Sequence, residues 1–159
     1  MTTATIPSVR RTITVAAPVD RTFRTFTDSF STWWPADYSI GAAEYAGAVI
    51  EPREGGRWFE HGTDGSECDW GRVLVWDPPG RLVLTWQING RWQYDPSPDR
   101  ASEIEVRFTA EGPEQTRIDL EHRLLERLED GQAMHDSVST EGGWGTLLGR
   151  FAEKLAEQG

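Results

Sequence analysis

Hydrophobic and polar residues alternate along several segments of the chain, which indicates strands with one covered face. Val9, Ile13 and Val15 alternate with polar residues up to Ala17, and this period of two predicts a half-buried first strand. Further strand-like runs, separated by Gly, Pro and Asp, are expected at 46–51, 57–60, 69–76, 81–88, 103–110 and 116–122. Asn89-Gly90 predicts a tight hairpin turn, with 91–94 as a short additional strand. The pattern is that of an antiparallel meander with one solvated face.

Helical spacing replaces this alternation in two places, the first of which follows the first strand. After Pro18 the apolar residues recur at spacings of three and four, which predicts a helix to about Asp28. A second short helical turn carries Trp33 and Trp34 before Pro35 ends it. The expected order is therefore strand, helix pair, and then the long meander.

The second helical segment closes the chain and carries a single apolar stripe. Its members are Trp144, Leu147, Leu148, Phe151 and Leu155. We expect Asp136, Ser137 or Ser139 to cap this helix. The opposite side carries the small residues Gly142, Gly145, Gly149, Ala152 and Ala156. An interior glycine costs about 1 kcal/mol relative to alanine. A covering loop or a second copy of the chain, in a homodimer through this helix, would explain these residues, and neutral drift of an exposed surface is the alternative.

Length and charge restrict the class of protein. The 159 residues match one domain, 1–159, with a buried core. A net charge of -10 argues against nucleic acid or an anionic membrane as a partner, because phosphate binding needs clustered Lys and Arg. The sequence shows no targeting signal and no apolar run of membrane-spanning length, and its one cysteine forms no internal disulfide. A cytoplasmic protein is expected.

Tryptophan is unusually abundant, with eight copies in a chain that is only 37% hydrophobic. Large rings must therefore supply much of the core. They also make good walls for a flat ligand, since each presents a wide apolar face with one donor at its edge. For any single tryptophan, space-filling in the core is the simpler interpretation.

Several stretches resemble a known family. The segment 13–23, continuing to Trp33 and Trp34, is similar to the opening of homologues of the activator of the ninety-kilodalton heat-shock protein's ATPase. The segment 71–86 resembles the characteristic hairpin of that family. The stretch 120–122, followed by Gly143-Trp144, resembles its closing section. The likeness covers nearly the whole chain.

This resemblance implies an α+β helix-grip fold, in which a curved antiparallel sheet wraps around a long C-terminal helix. The family belongs to the SRPBCC group of START-related, polyketide-cyclase-like and pollen-allergen-like domains, which share a cavity between the sheet and the final helix. Its members include lipid and hormone carriers, aromatase/cyclases and a self-sacrificing resistance protein. The fold places the following apolar candidates around one cavity: Trp33, Trp34, Phe59, Trp70, Trp86, Phe108, Trp144, Leu148 and Phe151.

Residues for catalysis are sparse, so a binder of a small hydrophobic or aromatic molecule is favoured over an enzyme. No histidine pair has the i, i+4 spacing of a metal site, and no glycine-rich phosphate motif is present, so no metal or cofactor is expected. His122 shares the parity of Ile118 and Leu120 and would point inward, while His61 at a hairpin tip could reach a ligand. A cyclase- or hydrolase-like enzyme using these histidines and a co-chaperone-like interaction module are the alternatives.

Overall fold

The computed structural model describes residues 5–157 and consists of one curved antiparallel sheet with helices packed on it. The strands are β1 (Val9–Val15), β2 (Tyr45–Ile50), β3 (Arg57–Gly62), β4 (Glu67–Asp77), β5 (Arg81–Trp86), β6 (Ser102–Gly112) and β7 (Gln115–Arg123). The helices are α1 (Val19–Thr27), α2 (Phe30–Trp33), α3 (Gly131–Ser139) and α4 (Thr146–Glu157). The sheet order β1-β7-β6-β5-β4-β3-β2 places the first strand beside the last. The predicted α+β helix-grip fold is confirmed.

The clean alternation in the last two strands fixes which face of the sheet is covered. Val106 pairs with Leu120 and Phe108 with Ile118, and all four are buried. The opposite face carries charged residues, among them Arg123, which is paired with Glu105 and other acidic side chains. This arrangement follows from the period of two along a strand, which sends successive side chains to opposite faces.

Strand β4 departs from simple alternation because it contains two bulges. Trp58 and Phe59 pair with Gly71 and Asp69, so Trp70 is an extra residue relative to β3. Leu74 is an extra residue relative to β5 in the same way. Each bulge shifts the alternation by one position. Residues on either side of a bulge therefore do not follow one simple alternation along β4.

Aromatic rings fill the space between the sheet and the helices. The Phe26 ring of α1 lies 5.0 Å from the Trp33 ring, 5.6 Å from Phe108 and 5.3 Å from Phe151. These contacts join α1, α2, β6 and α4 at one point. Fully burying such a side chain contributes about 1.5–3 kcal/mol, so this cluster holds the helices on the sheet.

The C-terminal region differs from the prediction, because it contains two helices instead of one. The residues expected to cap the final helix lie in α3, a separate helix, and the chain bends before α4 begins at Thr146. The bend is at Gly143, whose backbone angles of φ -90 and ψ -137 are not helical. A Cβ atom there would lie only 2.0 Å from the Val138 carbonyl oxygen. Only glycine fits this close approach.

The predicted hairpin after β5 is also wrong in detail. β5 ends at Trp86, and 91–94 forms no strand beyond an isolated bridge between Ile88 and Tyr94. The Asn89 side chain instead accepts hydrogen bonds from the backbone N–H groups of Arg91 and Gln93. This side-chain capping replaces the two-residue turn with a wider loop.

Candidate ligand pocket

A pocket with a volume of about 600 Å³ lies between the turn Ala36–Tyr38, the end of β5 and the junction of α3 with α4. Its lining residues are Trp34, Asp37, Tyr38, Ser39, Trp86, Trp92, Asp136, Ser137, Val138, Thr140, Gly142, Gly143 and Leu147. Small-molecule sites typically occupy roughly 300–1,000 Å³. The Gly143 bend shapes one wall, because the chain turns there instead of continuing as one helix.

Tryptophans form the apolar walls. Trp34 and Trp86 are only 4% and 2% exposed. The Trp144 ring lies behind them, with its centroid 6.1 Å from that of Trp34 and 5.9 Å from that of Trp86. Trp92 also lines the pocket but is 42% exposed, and its φ of 61 places it in the left-handed region. The pocket therefore combines two buried aromatic walls with one solvent-exposed ring.

Polar groups lie along the rim of the pocket. The carboxylates of Asp37 and Asp136 and the hydroxyls of Ser137 and Thr140 belong to exposed or half-buried residues. Tyr38 donates a hydrogen bond of 2.6 Å from its hydroxyl to the Gly142 carbonyl oxygen. This bond ties the turn after α2 to the helix junction. The two sides of the pocket are thereby held at a fixed separation.

A buried histidine supports the wall from behind. Trp144 donates from Nε1 to Nδ1 of His122 at 3.1 Å. An indole nitrogen can only donate, so the neutral imidazole carries its proton on Nε2. That N–H donates to the Ser102 hydroxyl at 2.9 Å, and the hydroxyl donates to the Trp86 carbonyl at 2.9 Å. Both ring nitrogens are occupied, and the chain of bonds joins two tryptophans of the site.

The surroundings of His122 favour the uncharged imidazole. Its side chain is completely buried, and burial lowers its pKa to about 3, with a small further effect from His135. The imidazole is therefore neutral and enclosed. It lies behind Trp86 and Trp144 and does not line the pocket.

The remaining candidates lie in the pocket wall, in the core, or on β3 outside the pocket. Of the predicted wall residues, Trp34 and Trp86 line the pocket. Those that pack in the core are Trp33, Trp70, Phe108, Trp144, Leu148 and Phe151. Phe59 is buried beneath the Arg57 guanidinium, 4.0 Å from its ring centroid, on the opposite side of β3 from Trp58. His61 is half-buried on β3 beside Gly47.

Two aromatic residues of the pocket escaped the sequence-based selection. Tyr38 lies in the segment between α2 and β2, where no periodicity indicates which side chain turns inward. Trp92 lies in the wide loop after β5. The only sequence signal for it was its place next to a turn, Asn89-Gly90, at the end of a strand.

No group of three potential metal ligands occurs among the side chains that the structure describes. Within the described residues, no helix is long and apolar enough to cross a membrane.

The fold and the pocket define the class of protein, which is a helix-grip domain of the SRPBCC type. The sequence profile of the family described as "Activator of Hsp90 ATPase homolog 1-like protein" matches residues 16–156. The chain belongs to this family, and the predicted resemblance is confirmed. No functionally curated protein matches the sequence significantly.

Two solved structures combine a similar fold with substantial sequence identity. The anthrahydroquino-gamma-pyrone synthase Txn09 is 42% identical, with a TM-score of 0.66 and coverage of 94% of this chain and 97% of the synthase. The self-sacrificing resistance protein CalC from Micromonospora echinospora is 32% identical, with a TM-score of 0.67 and coverage of 96% of both chains. Protein NE0264 from Nitrosomonas europaea, at 18% identity and a TM-score of 0.66, shares the fold.

Proposed function

We propose that the protein binds a small, planar aromatic molecule in the pocket lined by Trp34, Trp86 and Trp92. The observation that carries this proposal is the combination of a pocket of about 600 Å³ with two buried aromatic walls and one exposed tryptophan. Because a free protein gains little from leaving a large ring 42% exposed at a pocket mouth, a ligand that covers it would add apolar burial.

Preorganisation supports the same proposal. The Trp86 indole donates to the Ile88 carbonyl at 3.0 Å, and Trp144 behind it is held by His122. A wall fixed by hydrogen bonds loses little freedom when a flat molecule packs on it. Polar groups at the rim, including Asp37 and Thr140, would select the orientation of the ligand.

The similar proteins suggest the chemical class of the ligand. One of them is a synthase named for an anthrahydroquino-gamma-pyrone, and the other is a self-sacrificing resistance protein. We take from this a fused-ring aromatic ligand of the polyketide type. Carriage, sequestration or resistance would each use such binding without turnover.

A second candidate function is a synthase that closes or rearranges rings in the same pocket. The 42% identity to Txn09 over nearly the whole chain favours it. General acid–base chemistry there would use groups on the pocket wall, and Asp37, Tyr38 and Asp136 are suitable in type. The buried, neutral His122 would act as a positioning residue through Trp86 and Trp144.

Calorimetric titration with emodin, a flavonoid and a fatty acid tests the proposal. We expect one saturable site per chain for a fused-ring probe. Trp92→Ala should raise the Kd about tenfold, because a buried aromatic contact contributes about 1–2 kcal/mol. Leu74→Ala is the matched control, since Leu74 is 40% exposed and lies outside the pocket.

Two outcomes would decide against parts of this proposal. If no probe of any class gives saturable binding, the aromatic site is refuted. If a polyketide substrate of the synthase type is converted, and Asp37→Asn or Asp136→Asn stops conversion while binding persists, the enzyme replaces the binder. Mass spectrometry of the recovered ligand distinguishes these cases.

A further inference from the structure

A second pocket, with a volume of about 270 Å³, lies where the segment after Ser39 crosses the tips of β3 and β4. Its lining residues are Ile40, Gly41, Ala42, Ala43, Glu60, Gly62, Ser66, Glu67 and Cys68. It shares no lining residue with the aromatic pocket. Most of these side chains are small, which leaves room above the one large acidic group on the inner side.

That acidic group is Glu60, which is 2% exposed. Its Oε1 atom accepts hydrogen bonds from the Ile40 backbone N–H at 2.6 Å and from Trp70 Nε1 at 3.0 Å. Its Oε2 atom receives no hydrogen bond from residues 5–157 and lies 3.0 Å from the position of a Cβ on Gly41. Oε2 is not among the side-chain atoms that are both fully buried and unpartnered, so this oxygen is open to the pocket. One half of this carboxylate is therefore available to a donor from the pocket.

The charges around the pocket favour a cation. Glu67 is a second carboxylate in its wall, but Arg57 pairs with it at 3.1 Å. Glu60 forms no ion pair among the described residues, and no Arg, Lys or His among them lines the pocket. The pKa of Tyr45 is raised to about 12, first by burial and then by the charge of Glu60. The pKa of the Cys68 thiol is raised by burial and by the charges of Glu60 and Asp69. A cation placed there would be attracted without displacing a basic side chain.

We propose that this second pocket binds a small organic cation, with a primary alkylammonium group donating to Oε2 of Glu60. The short hydrocarbon part would lie against Ile40, Ala42 and Ala43, whose side chains are apolar. An ammonium group supplies three donors and needs no acceptor of its own. One carboxylate oxygen that is open to the pocket, within a mainly apolar wall, matches that requirement, and the site shares no lining residue with the aromatic pocket.

Titration with n-propylammonium chloride, followed by proton–nitrogen NMR, tests the inference. The backbone N–H of Ile40 and the indole N–H of Trp70 both donate to Glu60, so they report directly on this carboxylate. Both signals should shift with saturation as the amine is added. Tetramethylammonium chloride at equal ionic strength has no N–H donor, and it should leave them unchanged.

Two variants separate binding from general salt effects. Glu60→Gln keeps an acceptor for Ile40 and Trp70 but removes the charge, and affinity should fall about tenfold or more. Gly41→Ala leaves Glu60 intact and places a methyl group 3.0 Å from Oε2, so it should also weaken binding. Shifts that are linear in salt, or equal in wild type and Gly41→Ala, would overturn the inference even if Glu60→Gln does not fold. Neither result bears on fused-ring binding in the aromatic pocket.

Discussion

Replacing His122 with glutamine should remove a defined part of the pH dependence of stability. In the folded chain this histidine is completely buried and has a pKa of about 3, whereas an unperturbed histidine has a pKa of 6.5. Between pH 6.5 and pH 3, residue 122 therefore takes up a proton in the unfolded chain but not in the folded chain. The contribution of the neutral histidine to the free energy of unfolding is fully present above pH 6.5 and is lost as the pH falls towards 3.

The size of this loss follows from proton linkage. Each pH unit well below the unfolded pKa costs about 1.4 kcal/mol of the free energy of unfolding. Between about pH 7.5 and pH 5 the wild-type protein should lose about 2 kcal/mol more than His122→Gln. At neutral pH the variant should be less stable by about 1–3 kcal/mol, because Trp144 keeps a buried N–H without a full acceptor. The two stability curves should therefore converge in acid.

Urea unfolding at several pH values, followed by circular dichroism, measures both effects. Carboxylates titrate in both proteins, so their contribution cancels in the difference. His61→Gln is the control, since it changes a half-buried histidine outside this network, and the pH-dependent loss should persist in that variant. A wild-type minus His122→Gln difference that stays constant from pH 7.5 to 5 would refute the reasoning. So would a ring NMR signal of His122 that titrates near its ordinary pKa.

Three further predictions concern the C-terminal helices. Gly143→Ala should destabilise the fold by about 3 kcal/mol or more because its Cβ would lie 2.0 Å from the Val138 oxygen. Gly149→Ala, with nothing within 4 Å, should instead stabilise by up to about 1 kcal/mol; thermal unfolding compares the pair. Phe151→Ala should cost about 3–5 kcal/mol in urea unfolding, because the ring is fully buried. If the small-residue stripe forms a homodimer, light scattering should give twice the 17.9 kDa chain mass, and Gly149→Glu should halve it.

Local periodicity was enough to predict the sheet. The alternation around Val106 and Ile118 reports directly which face is covered, and the observed pairing of β6 with β7 agrees with it. Helix α3 escaped because only two of its apolar residues, Met134 and Val138, face the core, in an otherwise polar segment. The bend at Gly143 depends on an approach to the Val138 carbonyl, and no pattern of residue types encodes that distance.

The pocket was harder to predict than the fold, for a reason visible in neighbouring residues. Trp33 and Trp34 are the same residue type at adjacent positions. Trp33 nevertheless packs against Phe151 in the core, whereas Trp34 faces the pocket. Trp58 occupies the inner side of β3, so Phe59 turns to the other side. Which ring lines the pocket depends on how the helices pack against the sheet.

Hydrogen bonding divides the six buried tryptophans into two classes. This division bears on how the pocket could adapt to a ligand. The indole N–H groups of Trp70, Trp86 and Trp144 are held by Glu60, the Ile88 carbonyl and His122. Those of Trp33, Trp34 and Trp58 are buried without a partner among the described residues. A hydrogen-bonded ring is fixed in orientation as well as position, so Trp86, with Trp144 packed against it, is the fixed part of the wall. The second class is held by ring packing alone, so Trp34 is the buried wall residue best able to adjust to a ligand.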